Sequence, residues 1–340
     1  MNKTNSVLFL GDVVPYKPIK FKNNYKTVFN LECPITNTGK PATDKIVLSV
    51  RENHLKDIFK DNLLSVCLGN NHILDYGIEG LESTLKELEN LKLDWFGINN
   101  GSYYNCSPLL VNINEMKTAF FSVVCQSTTP IIELDNKVYL SLLEPDKIIK
   151  SISEVRNKVK RIIVYIHWGV EESSYPTAED IFIARKLIEA GADIIIGSHA
   201  HAPQSIEKYK NGIIAYNLGN FLMPPFKKMP SYFDEKGISH SVYNKKLMLW
   251  NRISWGLLID LQNMEYEIKK YIFLFNRIIE LPVTPLDKYL KINPGPVNTS
   301  YELSLKKHLN KRSVSRKIIE FVFNPHIPEK MKRNNIKLDN

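Results

Sequence analysis

Five short apolar runs in the first 200 residues each lead to a residue that can do chemistry. Val7–Leu10 leads to Asp12, Thr27–Leu31 to Glu32, Leu63–Leu68 to Asn71 and His72, Ile162–Ile166 to His167, and Asp193–Ile196 to His199 and His201. Such runs, bounded by Gly, Pro or polar residues, read as strands. Amphipathic stretches fall between them: Ile78–Leu91, with Ile78, Leu81, Leu85 and Leu88 on one face, Glu144–Val159, and Ala178–Glu189 behind the helix-start pair Pro176-Thr177. Strands alternating with helices predict a layered α/β domain. Ligands of open α/β sheets bind beyond the carboxyl ends of the strands, so five strands deliver carboxylate, carboxamide and imidazole groups to one edge.

Ala119–Val124, Ser254–Leu261 and Glu265–Phe273 read as further strands, and Tyr209–Ile213 as a hairpin turning at Asn211-Gly212. Residues 224–250, rich in Pro, Lys, Met and aromatics without a period, read as a surface insertion into a domain spanning 1–280. Residues 281–300 hold four prolines and read as a linker. In the tail, 301–340, Tyr301, Leu305 and Leu309 share a helical face among Lys306, Lys307, Lys311 and Arg312, the pattern of a basic, partly helical extension.

The net charge of +9 sits mostly in that tail: from residue 286 on, 12 Lys and Arg face 5 Asp and Glu, a surplus of 7 that leaves 2 for the rest. A nearly neutral body argues against a large phosphate-tracking surface, so nucleic acid is not an expected partner. The tail suits an anionic membrane surface, a polyanionic polymer or a polymer synthase. No apolar run reaches the length of a membrane span and no signal peptide is evident, so the expected location is the cytoplasm, peripheral at the inner membrane face. Cys33, Cys67, Cys106 and Cys125 form no CxxC pair, which argues against a thiolate zinc site or a disulfide framework. Cys67 and Cys125, in apolar runs, read as small buried hydrophobes.

Imidazole together with carboxylate favours Zn, Mn or Fe over Ca or Mg. His199 and His201 are two apart, which in extended backbone turns both rings the same way. One carboxylate can bridge two metals, and a pair about 3.5–4 Å apart can clamp a phosphoryl group while activating a water. A lone loop histidine is ordinarily a packed or solvated residue. The weight here comes from conjunction, since four of the eight histidines stand at strand ends.

Gly11-Asp12-Val13-Val14, Asn30-Leu31-Glu32-Cys33-Pro34, Gly69-Asn70-Asn71-His72 with Asp75-Tyr76-Gly77, His167-Trp168-Gly169-Val170-Glu171, Gly197-Ser198-His199-Ala200-His201 and Tyr216-Asn217-Leu218-Gly219-Asn220-Phe221 together resemble the CapA family. The resemblance covers about residues 5 to 275. It implies a link to capsule and poly-gamma-glutamate synthesis, a calcineurin-like metallophosphoesterase fold in four α/β/β/α layers, and two divalent transition-metal ions (Mn, Fe or Zn). By the same resemblance Asp12 and His201 would hold the first metal, Asn71, His167 and His199 the second, and Glu32 would stand at the bridging position. His72 would act on the leaving group, with Asp75 orienting it or capping the helix near Ile78. Arg51 and Lys45 are candidate contacts to a substrate phosphate. The chain departs from the wider superfamily at Val14, where a second histidine is usual, and at Glu32, where the bridging residue is Asp. The implied activity is a phosphoesterase-type hydrolysis in which metal-activated water attacks phosphorus. The alternatives are a non-hydrolytic accessory protein that binds polymer or membrane and, less favoured, a nuclease.

Overall fold

The computed structural model describes residues 4–43, 45–100, 106–129, 138–224 and 249–282, with residue 247 and the backbone of 232–233 and 239–240. The expected linker beyond residue 282, the basic tail and most of the 224–250 insertion lie outside the described residues. In chain order come β1 (Ser6–Val13), β2 (Lys26–Leu31), α1 (Leu55–Phe59), β3 (Leu63–Cys67), α2 (Gly77–Asn90), β4 (Asp94–Phe96) and β5 (Ile98–Asn100). Then follow β6 (Leu109–Ile113), β7 (Met116–Val124), β8 (Val138–Leu140), α3 (Pro145–Arg156), β9 (Arg161–His167), α4 (Ala178–Glu189) and β10 (Ile194–Ser198). The remainder is β11 (Ile206–Tyr209), β12 (Gly212–Ala215), β13 (Asn220–Leu222), β14 (Tyr232–Phe233), β15 (Ser239–His240), β16 (Ile253–Asp260), β17 (Tyr266–Leu274) and β18 (Arg277–Leu281).

One sheet has the order β18-β17-β16-β1-β2-β3-β4, with β13 also paired to β1; the other has the order β11-β12-β10-β9-β7-β6. Strands β1 to β4 run parallel, and so do β7, β9, β10 and β12. Alternation along β1 shows how the layers form. Val7 and Phe9 join Val28, Phe120, Ile163, Tyr165, Ile194 and Ile196 in a core between the sheets. Leu8 and Leu10 face the other way, joining Phe29, Leu31 and Val66 beneath Leu55, Ile58 and Phe59 of α1 and Leu81 and Leu88 of α2. On the second sheet's outer side, α3 packs along β9 and α4 along β10, burying Ile148, Ile152, Ile181, Ala184 and Leu187. The layering is therefore α/β/β/α, as the resemblance implies.

The differences from the sequence reading have local causes. Strand β1 continues through Asp12 because its end gains a second parallel partner: Asp12 lies opposite both Asn30 of β2 and Asn220 of β13. Helix α3 stops at Arg156 rather than Val159, and the Arg156 guanidinium turns back to the carbonyls of Val159, Lys160 and Gly191 and to Asp193. The β11–β12 hairpin turns at Lys210-Asn211, with Tyr209 opposite Gly212, one residue earlier than expected. Cys67 is buried as expected, but Cys125 is partly exposed, just past the end of β7. Among the described residues no helix is long and apolar enough to cross a membrane.

Candidate metal centre

The parallel strands of both sheets bring their carboxyl ends to one place. Asp12 is next to last in β1, past a bulge that shifts register between Phe9 and Asp12. Such bulges re-aim side chains. Gly11 makes the turn possible: a Cβ there would stand 1.9 Å from the Gly219 carbonyl oxygen, which accepts the Asp12 N–H at 3.0 Å. Glu32 follows β2, Asn71 and His72 lie in the turn beyond β3, and His167 ends β9. Ser198, the last residue of β10, is in register with His167, and His199 and His201 come next. The expected extended His-x-His does not form. His199 has φ 91° and His201 φ 54°, so a tight left-handed turn sets their rings 6.0 Å apart. Positive φ on residues with a Cβ is strained and clusters at functional sites.

Asp12 and Glu32 are both fully buried. The Asn30 side-chain amide donates to Asp12 Oδ1 at 2.9 Å and also to Glu32 Oε2. The remaining oxygens, Asp12 Oδ2 and Glu32 Oε1, have no hydrogen-bond partner among the described residues. Asp12 Oδ2 lies 3.4 Å from His201 Nδ1, and Glu32 Oε1 lies 3.9 Å from His167 Nε2. Asp12, Glu32 and His201 can each offer a ligand atom with all three within 4.8 Å of one another. Beside them, His167 Nε2 is 2.9 Å from Asn71 Oδ1 and 3.1 Å from His199 Nδ1. Ser198 Oγ holds His167 Nδ1 at 3.0 Å, and Asn220 Oδ1 holds His201 Nδ1 at 2.8 Å.

Burial and then the Asp12 charge push Glu32 well above the usual carboxylate range. Burial also raises Asp12, but its pairing with His201 outweighs it and holds Asp12 low. The same pairing raises His201 against the pull of its burial. Burial lowers His199 to about 4. It holds His167 well down too, aided by the charges of His199, His72 and His201. These two imidazoles are therefore neutral at pH 7, the form that ligates metal. Two buried carboxylate oxygens without partners, beside neutral imidazoles and a carboxamide oxygen, fit divalent transition-metal ions, since partnerless buried charge is otherwise costly.

Asp75 contacts His72 and does not cap α2. Its Oδ2 is 2.7 Å from His72 Nδ1 and accepts the Leu48 N–H at 2.6 Å, while α2 has Tyr76 as its N-cap with no side-chain cap bond. Lys45 Nζ pairs with Asp75 Oδ1 at 2.5 Å and donates to the Asn71 carbonyl at 2.6 Å, so its charge is engaged within the protein. Arg51 is exposed; its carbonyl accepts from Asn37, and its guanidinium meets no partner among the described residues. Trp168 is buried, donating to the Tyr216 carbonyl at 3.0 Å, which is packing. Asn30, Asn70, Ser198 and Asn220 have no role in the sequence reading. The period of two in β2 does carry a signal, since it sets Asn30 and Glu32 on one face.

These features define a two-sheet α/β protein with a buried carboxylate–imidazole–carboxamide cluster at its strand ends. The family model for the bacterial capsule synthesis protein PGA_cap matches residues 12–225, and the chain belongs to that family. It is 30% identical over 230 residues to the capsule biosynthesis protein CapA of Bacillus anthracis, covering 65% of this chain and 55% of that protein. It is 27% identical over 275 residues to the PGA biosynthesis protein CapA of Bacillus subtilis, covering 79% of this chain and 62% of that one. The chain thus spans less than two thirds of either relative. A 5'-nucleotidase precursor from Thermus thermophilus overlays with a TM-score of 0.43 at 13% identity, over 79% of this chain and 54% of that one.

Proposed function

We propose that the chain is a metal-dependent phosphoesterase-type hydrolase of capsule or poly-gamma-glutamate synthesis. The observation that carries this reading is the pair of partnerless buried oxygens, Asp12 Oδ2 and Glu32 Oε1, set against His201 and His167. Asp12, Glu32 and His201 would hold one divalent ion, and Asn71, His167 and His199 a second, with Glu32 between them. Bound there, such ions supply Lewis acidity toward a phosphoryl oxygen and lower the pKa of water. The chain's own residues do the rest. Ser198 fixes His167 through Nδ1 and so presents Nε2 to the site. Asp75 occupies His72 Nδ1, which leaves Nε2 as the atom that would act on the leaving oxygen, taking up a proton from the site before handing it on. Lys45 holds Asp75 in place and ties it to the Asn71 carbonyl.

The test is metal content by elemental mass spectrometry, with turnover of phosphomonoesters and phosphodiesters, for wild type, His199→Ala and His72→Ala. Wild type should retain about two ions per chain. His199→Ala should lose metal and turnover together, whereas His72→Ala should keep metal and lose turnover. A wild type that binds no Mn, Fe or Zn, or two variants that behave as wild type, would remove this reading.

A further inference from the structure

Asn30 belongs to no ligand set, yet it is fully buried and touches both carboxylates. Its orientation is forced from a distance. The Asn70 side-chain oxygen accepts the backbone N–H groups of His72 and Ile73, at 3.0 and 2.9 Å. Asn70 Nδ2 must therefore point the other way, where it donates to Asn30 Oδ1 at 3.0 Å and to the Leu31 carbonyl at 2.8 Å. With its oxygen so engaged, Asn30 must present its NH₂ group to Asp12 and Glu32. A flipped amide would set a carbonyl against two carboxylates and an amide against an amide.

Both hydrogens of the Asn30 amide are then spent, one on each carboxylate. One oxygen of Asp12 and one of Glu32 are blocked, and the partnerless oxygens are the other two. We infer that Asn30, oriented by Asn70, is a positioning residue that makes Asp12 and Glu32 one-oxygen ligands and so selects the metal. Zn²⁺ is satisfied by about four ligands with single carboxylate oxygens. Ca²⁺ takes about six to eight oxygens and commonly draws on both atoms of a carboxylate. A fixed donor on the second oxygen of each carboxylate withholds that mode from Ca²⁺. The inference rests on the metal reading above.

The test is calorimetric titration of the chelator-stripped full chain with Mn²⁺, Zn²⁺ and Ca²⁺ separately. In Asn30→Ala, affinity for Mn²⁺ and Zn²⁺ should fall about ten- to a hundred-fold, the usual effect of losing a partner that orients a ligand, while the margin over Ca²⁺ narrows. Asn70→Asp keeps an acceptor for the two turn N–H groups but cannot donate to Asn30. It should shift the margin in the same direction with the fold intact by circular dichroism. A folded Asn30→Ala or Asn70→Asp with wild-type affinities and an unchanged Mn²⁺-to-Ca²⁺ ratio would overturn the inference. Failure of both variants to fold would overturn it as well, making the relay a folding element. A wild type that binds no metal is a separate result, seen before any variant is made, and it sinks the proposed function along with this inference.

Discussion

Replacing Asp180 by Asn should stabilise the protein at neutral pH and lose that advantage in acid. Asp180 is the third residue of α4 and is only 8% exposed. Its Oδ2 accepts the Thr177 N–H at 2.8 Å, and its own N–H donates to Thr177 Oγ1 at 3.0 Å. Burial pushes its carboxyl from 3.8 up to about 6, against the pull of the Thr177 hydrogen bonds. A rise of roughly two units at about 1.4 kcal/mol each is about 3 kcal/mol. The folded carboxyl holds its proton more tightly than the unfolded one. Its contribution is therefore fully present below about pH 4 and is lost as pH rises through about 6. At pH 8 the wild type carries a buried carboxylate that Asn would not, and Asn keeps an acceptor for Thr177. Against this, Asn gives up the favourable meeting of negative charge with a helix N-terminus, about 0.3–1 kcal/mol. The net gain at pH 8 is roughly 2 kcal/mol. Thermal unfolding of chelated protein, followed by circular dichroism at pH 8 and pH 4.5, reads it directly. Asp180→Asn should melt a few degrees above wild type at pH 8, and the gap should narrow at pH 4.5. A variant that melts lower at pH 8 would mean that helix-end charge outweighs burial, and the reasoning would fail.

Thr177→Ala removes the hydroxyl of the capping box at the start of α4, and should cost about 1 kcal/mol in urea unfolding at pH 7. A loss below the error of the measurement would show that α4 is held by packing alone. Gly11→Ala should cost more, because its new methyl would stand 1.9 Å from a backbone oxygen and neither β1 nor β13 can yield without moving Asp12. Its thermal midpoint should fall below that of Thr177→Ala and its metal content should drop. A wild-type melting curve would contradict the packing described.

The buried strands were the most legible part of the sequence, because a strand covered on both sides is apolar along its whole length. Strands β2, β3, β9 and β10 announced themselves in this way. Strand β6 did not: its burial alternates and it closes one edge of its sheet, so periodicity over five residues competes with loop composition. Strand β18, at the edge of the other sheet, failed for the same reason. Within the site, the candidate residues could be picked out by position, since each stands at or just past a strand end. The geometry of His199 and His201 could not, because a spacing of two suits extended backbone equally well and nothing local signals positive φ. Lys45 illustrates the same limit. A basic residue near a candidate phosphate site suggests a phosphate contact, and only the fold shows that Asp75 and the Asn71 carbonyl have already taken its donors.

That engagement of Lys45 bears on what the proposed centre would attract. Its charge is matched by Asp75, burial keeps His167, His199 and His72 below their ordinary values, and His201, which Asp12 raises, faces that carboxylate. Asn30 and Asn71 are neutral, and Asp12 and Glu32 are the two carboxylates of the ligand set. Glu171 adds a negative charge that both His199 and His201 feel, so two divalent ions set against these three carboxylates would leave a surplus of roughly one positive charge. In a buried cluster such a surplus is screened little by salt. An ionised phosphoryl or carboxyl group would offset it, and a neutral amide would not. Within the proposed function, the charge balance thus favours an anionic group over a neutral amide at the ions.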